Sequence, residues 1–113
     1  RGWERQQVKT KTAMIAALRR DLDAPDLPAM IAVNTKFGGG RNRFMPVIIK
    51  QQKTAASYDP RCEYVDTSGA SIANNVHFDA KGTLEVGRLF AETLLKIEAR
   101  TQPKKRNHDR RAR

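Results

Sequence analysis

The chain has 113 residues, a length typical of one domain with one modest core. No apolar run approaches the roughly 18 to 20 residues that a membrane-spanning helix needs, and the polar start RGWERQQVKTKT does not resemble a signal peptide. The single cysteine, Cys62, excludes an internal disulfide and a metal site built from several cysteines.

The net charge of +10 is concentrated at the end of the chain. Residues 100–113 hold seven Lys or Arg and one Asp, a net charge of +6, whereas residues 1–99 hold 15 positive and 11 negative side chains. A segment with so few apolar residues and so much like charge is predicted to be disordered. We therefore expect one folded unit over residues 1–99 and a basic, disordered tail over residues 100–113.

Residues 4–20 predict the first helix. Val8, Ile15, Leu18 and Leu22 recur at spacings of seven, three and four, which places them on one helical face. The stretch DLDAPDLP that follows is rich in Asp and Pro, and it ends the helix.

Residues 28–35, PAMIAVNT, form a short apolar run and predict a buried strand. A glycine-rich loop, KFGGGRNR, separates this strand from a second predicted helix over residues 44–57. Pro46 suits the first turn of that helix, where its missing N–H is no loss. Val47, Ile48, Gln51 and Ala55 are expected along one side of the helix.

Residues 61–69, RCEYVDTSG, predict a second strand that ends in a polar loop. The last helix is predicted over residues 79–99, with Asp79 as its N-cap. Its apolar face repeats at spacings of four, four and three through Val86, Phe90, Leu94 and Ile97.

The order of elements indicates an α/β fold with a parallel sheet. Two strands make a poor parallel sheet, because such strands normally have neighbours and helices on both faces. We therefore expect the chain to be the C-terminal part of a doubly wound domain whose first strands are missing. The start at Arg1 rather than Met agrees with this expectation.

The loop GGGR, residues 38–41, has two interpretations. Glycines ahead of a helix can bind an anion with backbone N–H groups. However, the spacing fits neither the Walker pattern nor the dinucleotide pattern. We therefore favour a mobile loop that edges a pocket at the carboxyl end of the first strand.

His77 follows the second strand through a loop and directly precedes the last helix. A loop at the carboxyl edge of a parallel sheet is a common place for catalytic residues. Histidine can take a proton from a hydroxyl nucleophile and return it to the leaving group. Considered alone, a single histidine in a loop is more often an ordinary surface residue.

The stretches ALRRDLDAPDLPAMIAV, QQKTAASYDPRCEYVDTSG and VHFDAKGTLEVGRLFAETLL resemble the C-terminal part of the SGNH hydrolases. The closest branch is the sialate O-acetylesterase and acetylxylan esterase group, carbohydrate esterase family six. The most specific block is D-x-x-H-F-x-x-x-G-x-x-x-x-G, in which His77, Phe78, Gly82 and Gly87 occupy the last four fixed positions.

The resemblance implies a partial three-layer α/β/α sandwich similar to flavodoxin, and the hydrolysis of O-acetyl esters on sugars. It further implies a serine nucleophile, His77 as the general base, and an orienting acid three residues earlier. That position holds Asn74. An amide can orient the ring but cannot stabilise its charged form, and Asp66 or Asp79 is a candidate to compensate.

The family's Gly-x-Ser nucleophile block and its oxyanion-hole blocks are absent from the chain. None of the three serines, Ser57, Ser68 and Ser71, stands in such a context. We therefore predict that this chain alone is inactive, and that its partners are an acetylated carbohydrate and the missing N-terminal half of the domain. No cofactor, metal ion or membrane is implied.

Two alternatives stay open at this stage. The chain can be a degenerate, noncatalytic remnant that binds carbohydrate or another protein. It can also be a small basic protein whose tail contacts nucleic acid or another polyanion through phosphates. The tail contains no aromatic residue for base stacking, and His108 within it is predicted to be inert.

Overall fold

The computed structural model describes residues 2–102 and has the predicted α/β class. Three helices and two strands lie within three residues of the bounds expected from the sequence. In chain order they are α1 (Gly2–Asp21), β1 (Ala29–Val33), α2 (Met45–Ser57), β2 (Cys62–Asp66) and α3 (Ala80–Thr101). The basic tail beyond residue 102, including His108, lies outside the described residues, so its predicted disorder stays a prediction.

The two strands pair in parallel, with Ala29 opposite Cys62 and Val33 opposite Asp66. The Ala29 N–H donates to the Arg61 carbonyl at 2.9 Å, and the Val33 carbonyl accepts from the next residue after β2, Thr67, at 2.8 Å. Odd-numbered residues of β1 therefore point their backbone groups at β2. The groups of the even-numbered residues point to the outer edge of β1.

The outer edge of β2 is occupied at its start by a side chain from the end of α3. The Arg100 guanidinium donates to the Cys62 carbonyl at 2.9 Å and to the Glu63 carboxylate at 2.9 Å. The same carboxylate accepts from the Tyr64 N–H at 3.2 Å. Arg100 belongs to helix α3, which continues through Thr101, two residues beyond its predicted end.

The core lies where α2 and α3 pack against the two strands. Its buried apolar residues are Val33, Ile49, Ala55, Ala56, Cys62, Val65, Ala70 and Ile97. In α2 the prediction for Gln51 and Ala55 is confirmed, whereas Val47 and Ile48 are only half-buried. Burial raises the pKa of the Cys62 thiol, which fits its place as a small apolar core residue.

Helix α1 packs against α2, and its predicted apolar face is only partly buried. Leu18 is 49% exposed and Leu22 is 62% exposed, together with Met14 on the same helix. A cavity of 480 Å³ runs between this face and the outer edge of β1, next to Met30. Leu18 and Leu22 are therefore exposed, whereas Val8 and Ile15 of the same predicted face are half-buried.

The predicted starts of α2 and α3 agree with the structure. Asp79 is the N-cap of α3, and Pro46 lies in the first turn of α2. None of the helices within residues 2–102 combines the length and the apolar composition that a membrane crossing needs.

Candidate active site

His77 lies on a short hairpin that connects β2 to α3. Ile72 and Phe78 form an isolated antiparallel bridge, and the Ala73 N–H donates to the His77 carbonyl at 3.0 Å. Backbone pairing between the two sides of the hairpin therefore closes it just below its polar tip. The histidine side chain is exposed at this tip, at the carboxyl end of the sheet.

The hairpin is tied to the first turn of α3 through Asp79. The Ser71 hydroxyl donates to the Asp79 carboxylate, and the Gly82 N–H donates to the same group at 2.7 Å. The bond from Ser71 is the larger cause and the bond from Gly82 the smaller one, and together they hold the pKa of Asp79 below its usual range. Helix α3 therefore begins at a fixed position relative to the His77 hairpin.

The same junction requires a glycine in the helix. A Cβ added at Gly82 would overlap the Ser71 carbonyl oxygen and lie 2.8 Å from its carbonyl carbon. Gly87, the second glycine of the motif, has nothing within 4 Å of such a Cβ. Among the described residues, close backbone approach therefore explains the first motif glycine and not the second.

Asn74 holds the imidazole of His77. The distance from His77 Nδ1 to Asn74 Oδ1 is 3.1 Å, and the Val76 N–H donates to the same Oδ1 at 2.9 Å. Because a backbone N–H can only donate, it establishes that this amide atom is the oxygen. His77 Nδ1 must then carry the proton in the bond, which leaves the lone pair of the neutral ring on Nε2.

The two nearby carboxylates do not take the place of the missing acid. Asp66 accepts from the Ser68 N–H at 2.9 Å, and bonding to Ser68 lowers the pKa of Asp66. Asp79 is engaged by Ser71 and Gly82, as described above. Within residues 2–102 the imidazole has Asn74 as its hydrogen-bond partner, so neither carboxylate compensates for the amide.

The hydroxyls of the three serines are all engaged in hydrogen bonds with groups other than His77. Ser57 donates to the Thr54 carbonyl at 2.6 Å. The Ser68 hydroxyl accepts from the Thr35 N–H at 2.9 Å, and the Ser71 hydroxyl donates to Asp79. None of them forms a pair of nucleophile and base with the histidine.

A second loop, which follows β1, lies beside the hairpin. Asn34 begins it by joining the ends of the two strands, since its Nδ2 donates to the Thr67 hydroxyl at 3.0 Å and to the Thr67 carbonyl at 3.2 Å. The Asn34 Oδ1 accepts from the N–H groups of Lys36 and Phe37 at 2.8 and 3.2 Å. One amide side chain thus sets both the strand ends and the first turn of the loop.

Two contacts join this loop to the hairpin. The rings of Phe37 and Phe78 lie 5.0 Å apart between centroids at an angle of 56°, and the Gly38 N–H donates to the Asn75 carbonyl at 2.8 Å. Gly38, Gly39 and Gly40 all have φ between 67° and 73°, a region that favours glycine. The glycine run therefore turns the chain so that Phe37 faces Phe78.

The N–H of Gly38 is used by this contact, so it is not available to bind an anion. Gly40 and Asn42 line a cavity of 680 Å³ beside α2, which agrees with the expectation that the loop edges a pocket. A cavity of 860 Å³ lies between α1 and α2, with Gln51 in its wall. His77 lines neither cavity and instead stands on an open surface.

Asn34 and Phe37 are the site residues that sequence reasoning missed. In the sequence Asn34 stands only at the end of an apolar run, and its partner Thr67 lies 33 positions along the chain. Phe78 was recognised as part of a motif, but nothing in the pattern indicates that Phe37 is its neighbour. The local signal that could have found Asn34 is an amide directly after a buried strand, where it can bond to the following turn.

Residues 4–96 match the family model described as carbohydrate esterase, sialic acid-specific acetylesterase. The chain belongs to this family. The match spans α1 to α3 and includes the His77 hairpin, and it confirms the predicted resemblance to the sialate O-acetylesterases. A search of curated proteins and a search of solved structures each found no significant match.

Membership of this esterase family gives the chain a carbohydrate acetylesterase-like domain. Within residues 2–102 no three His, Cys, Asp or Glu side chains converge as a set of metal ligands. The arrangement at His77 is a ring held by an amide, with its second nitrogen open to solvent. Chemically, that arrangement can accept and return a proton.

Proposed function

We propose that this chain supplies the general base of a carbohydrate O-acetylesterase, and that His77 is that base. The observation that carries the proposal is the bond from His77 Nδ1 to Asn74 Oδ1, because it leaves Nε2 as the proton acceptor. His77 occupies the histidine position of the family motif, and the family match includes it. Its exposure leaves room for a hydroxyl nucleophile and an ester to approach.

The proposed reaction has two halves, acylation and deacylation. In each half Nε2 first accepts a proton and then donates it. Nε2 takes the proton of a serine hydroxyl as its oxygen attacks the acetyl carbonyl, and the tetrahedral intermediate forms. The imidazolium then protonates the departing sugar oxygen, which leaves an acetyl-serine. Water attacks this ester with Nε2 again as base, and the proton returns to the serine as acetate departs.

Asn74 keeps the correct tautomer in this reaction but adds no negative charge. In serine hydrolases, loss of the corresponding carboxylate costs about 10⁴-fold in kcat. We therefore propose a slow esterase rather than a fully efficient one. The amide preserves orientation, and the imidazolium intermediate is less stabilised than beside an aspartate.

The serine and the oxyanion donors of this reaction are proposed to come from polypeptide that adds to the open edge of β1. The backbone groups of Met30 and Ala32 point to that edge. The exposed Leu18 and the cavity beside Met30 lie along it, and they offer apolar surface to an added strand and helix. The complete domain would then be a three-layer α/β/α sandwich of the SGNH type.

The test is acetyl-ester hydrolysis by the complete protein, with O-acetylated sialic acid and acetylated xylan as substrates. His77→Ala and His77→Gln should both reduce kcat by at least about 10³-fold, as removal of a triad histidine does. The matched control is His108→Ala, because His108 is the only other histidine of the chain. Full activity in both His77 variants would overturn the assignment of the base.

A noncatalytic carbohydrate-binding domain is the second candidate. Two observations favour it: an amide, not a carboxylate, orients His77, and all three serine hydroxyls are engaged elsewhere. The same assay separates the two candidates. Hydrolysis of acetyl esters by the complete protein rules out the noncatalytic domain, whereas sugar binding without hydrolysis supports it.

A further inference from the structure

The tip of the His77 hairpin has few supports besides its own backbone bonds. His77, Asn74 and Asn75 are all exposed, and the half-buried residue next to the histidine is Phe78. The ring of Phe78 meets the ring of Phe37, which comes from the loop after β1. This aromatic contact and the bond from Gly38 to Asn75 are the described ties between the two loops.

We propose that Phe37 is a positioning residue for His77, acting through Phe78. The inference rests on the proposed role of His77 as the base. The described aromatic contact of Phe37 is with Phe78. It fixes the side chain of the residue that follows the histidine, and so it fixes the direction in which the hairpin presents the ring to Asn74.

Phe37 is itself held at the carboxyl end of the sheet. Its N–H donates to Asn34 Oδ1, and the same amide group is bonded to Thr67 at the end of β2. The positive φ of 73° at Gly38 turns the chain directly after Phe37, and the Gly38 N–H then reaches the hairpin. The ring that supports Phe78 is therefore anchored to both strands, on rigid structure rather than on a free loop.

A small displacement of the His77 imidazole is enough to lower the rate of the proposed reaction strongly. Displacement of a catalytic group by about 1 Å can reduce a rate about 10²-fold. The 3.1 Å bond between His77 and Asn74 is lost if the imidazole moves by that amount relative to Asn74, since hydrogen bonds weaken steeply beyond about 3.5 Å. Without this bond, no other hydrogen bond within residues 2–102 selects the Nδ1–H form of the neutral ring.

The test is the tautomer of His77 in the 113-residue chain, measured from ¹⁵N chemical shifts and long-range ¹H–¹⁵N couplings at a pH where the ring is neutral. Wild type should show mainly the Nδ1–H form, whereas an unconstrained histidine favours Nε2–H. Phe37→Ala and Phe37→Leu should both shift His77 toward Nε2–H, and Phe37→Tyr should restore the wild-type signal. Phe44→Ala removes an exposed aromatic side chain from just ahead of α2, and should leave the signal unchanged.

Folding of each variant is checked by thermal unfolding, and if Phe37→Ala does not fold, the decision rests on Phe37→Leu, which keeps an apolar side chain. Wild-type tautomers in folded Phe37→Leu would overturn the proposal. So would an equal shift in Phe44→Ala, or a wild-type ring that is already mainly Nε2–H. This readout needs no catalysis, so it is independent of whether His77→Ala abolishes hydrolysis.

In the complete esterase, Phe37→Leu should lower kcat about 10-fold to 10²-fold while KM changes little. Phe37→Tyr should recover most of the loss. An unchanged kcat in Phe37→Leu would contradict the proposal even if the tautomer shifted, because the displacement would then have no consequence for the reaction.

Discussion

Gly82 and Ser71 approach each other so closely that the first turn of α3 can carry no side chain at this point. An added Cβ would overlap the Ser71 carbonyl oxygen, which belongs to the backbone and cannot rotate away. The contact joins the helix to the strand of the hairpin that leads to His77. It gives the first motif glycine a structural reason that is independent of catalysis.

We expect Gly82→Ala to lower the free energy of unfolding by about 1–3 kcal/mol, the usual cost of forced overpacking. Gly87→Ala is the matched control in the same helix, where an added Cβ meets open space among the described residues. It should raise stability by about 0.5–1 kcal/mol, because alanine restricts the unfolded chain and favours helix. Urea unfolding of the two variants measures both effects, and effects of the same sign would contradict this explanation.

Asn74→Asp should raise kcat for acetyl-ester hydrolysis in the complete protein. A carboxylate at this position accepts the same bond from His77 and also stabilises the imidazolium. The upper limit of the gain is about 10⁴-fold, the cost of losing such a carboxylate from a triad. Asn75→Asp adds the same charge one residue later and should change kcat little; a comparable gain there would show that general charge, not orientation of His77, is responsible.

The contribution of Asp79 to stability should depend on pH. Its pKa is lowered in the folded chain, first by the Ser71 hydroxyl and then by the Gly82 N–H. The contribution is therefore complete above the ordinary Asp pKa of about 3.9, and it is lost as the pH falls through the lower folded value. Asp79→Asn should thus have a lower Tm than wild type at pH 7, and the difference should shrink in acid.

Thermal unfolding between pH 7 and pH 2 tests this expectation. Asp21→Asn, at the exposed end of α1, is the control and should follow wild type at every pH. A difference between Asp79→Asn and wild type that persisted unchanged at pH 2 would mean that the charge of Asp79 is not what stabilises the junction.

Gln51 should be replaceable with a gain in stability. Its side chain is buried, and within residues 2–102 neither its amide nitrogen nor its amide oxygen has a hydrogen-bond partner. An unsatisfied buried polar group costs about 1–3 kcal/mol, so the similarly shaped apolar side chain of Gln51→Met should raise the free energy of unfolding by about 1 kcal/mol. Gln52→Met, at a half-buried position next to it, should have little effect. A loss of stability in Gln51→Met would indicate that the amide is satisfied in solution.

Chemical denaturation is the measurement for both glutamine variants. The slope with denaturant should be the same as in wild type, so that a change in midpoint reports stability rather than a change in the unfolded state.

The elements of the fold were predictable because each has a local cause. Asp79 begins α3 by accepting from its first turn, and the apolar spacing through Ile97 identifies the face that meets the strands. Periodicity, however, shows only which residues share a face. Leu18 and Leu22 share one face of α1 as predicted, but their burial depends on whether another element covers that face, and no helical spacing contains that information.

The site was predictable only where its contacts are short in sequence. Asn74 and His77 are three residues apart, and the family motif places them together. The contacts of Asn34 with Thr67 and of Phe37 with Phe78 cross from one strand end to the other. They depend on the parallel register of β1 and β2, which the sequence pattern leaves open.

Arg100 also sets the side on which the described sheet can be extended. Because Arg100 and Glu63 occupy backbone groups at the outer edge of β2, the described sheet has one fully open edge, along β1. A strand that pairs there extends the sheet beyond β1, on the side where the rest of the esterase domain is proposed to add. The described sheet can therefore be extended on one side, whereas a sheet with two open edges could pair on both sides and grow into a fibre.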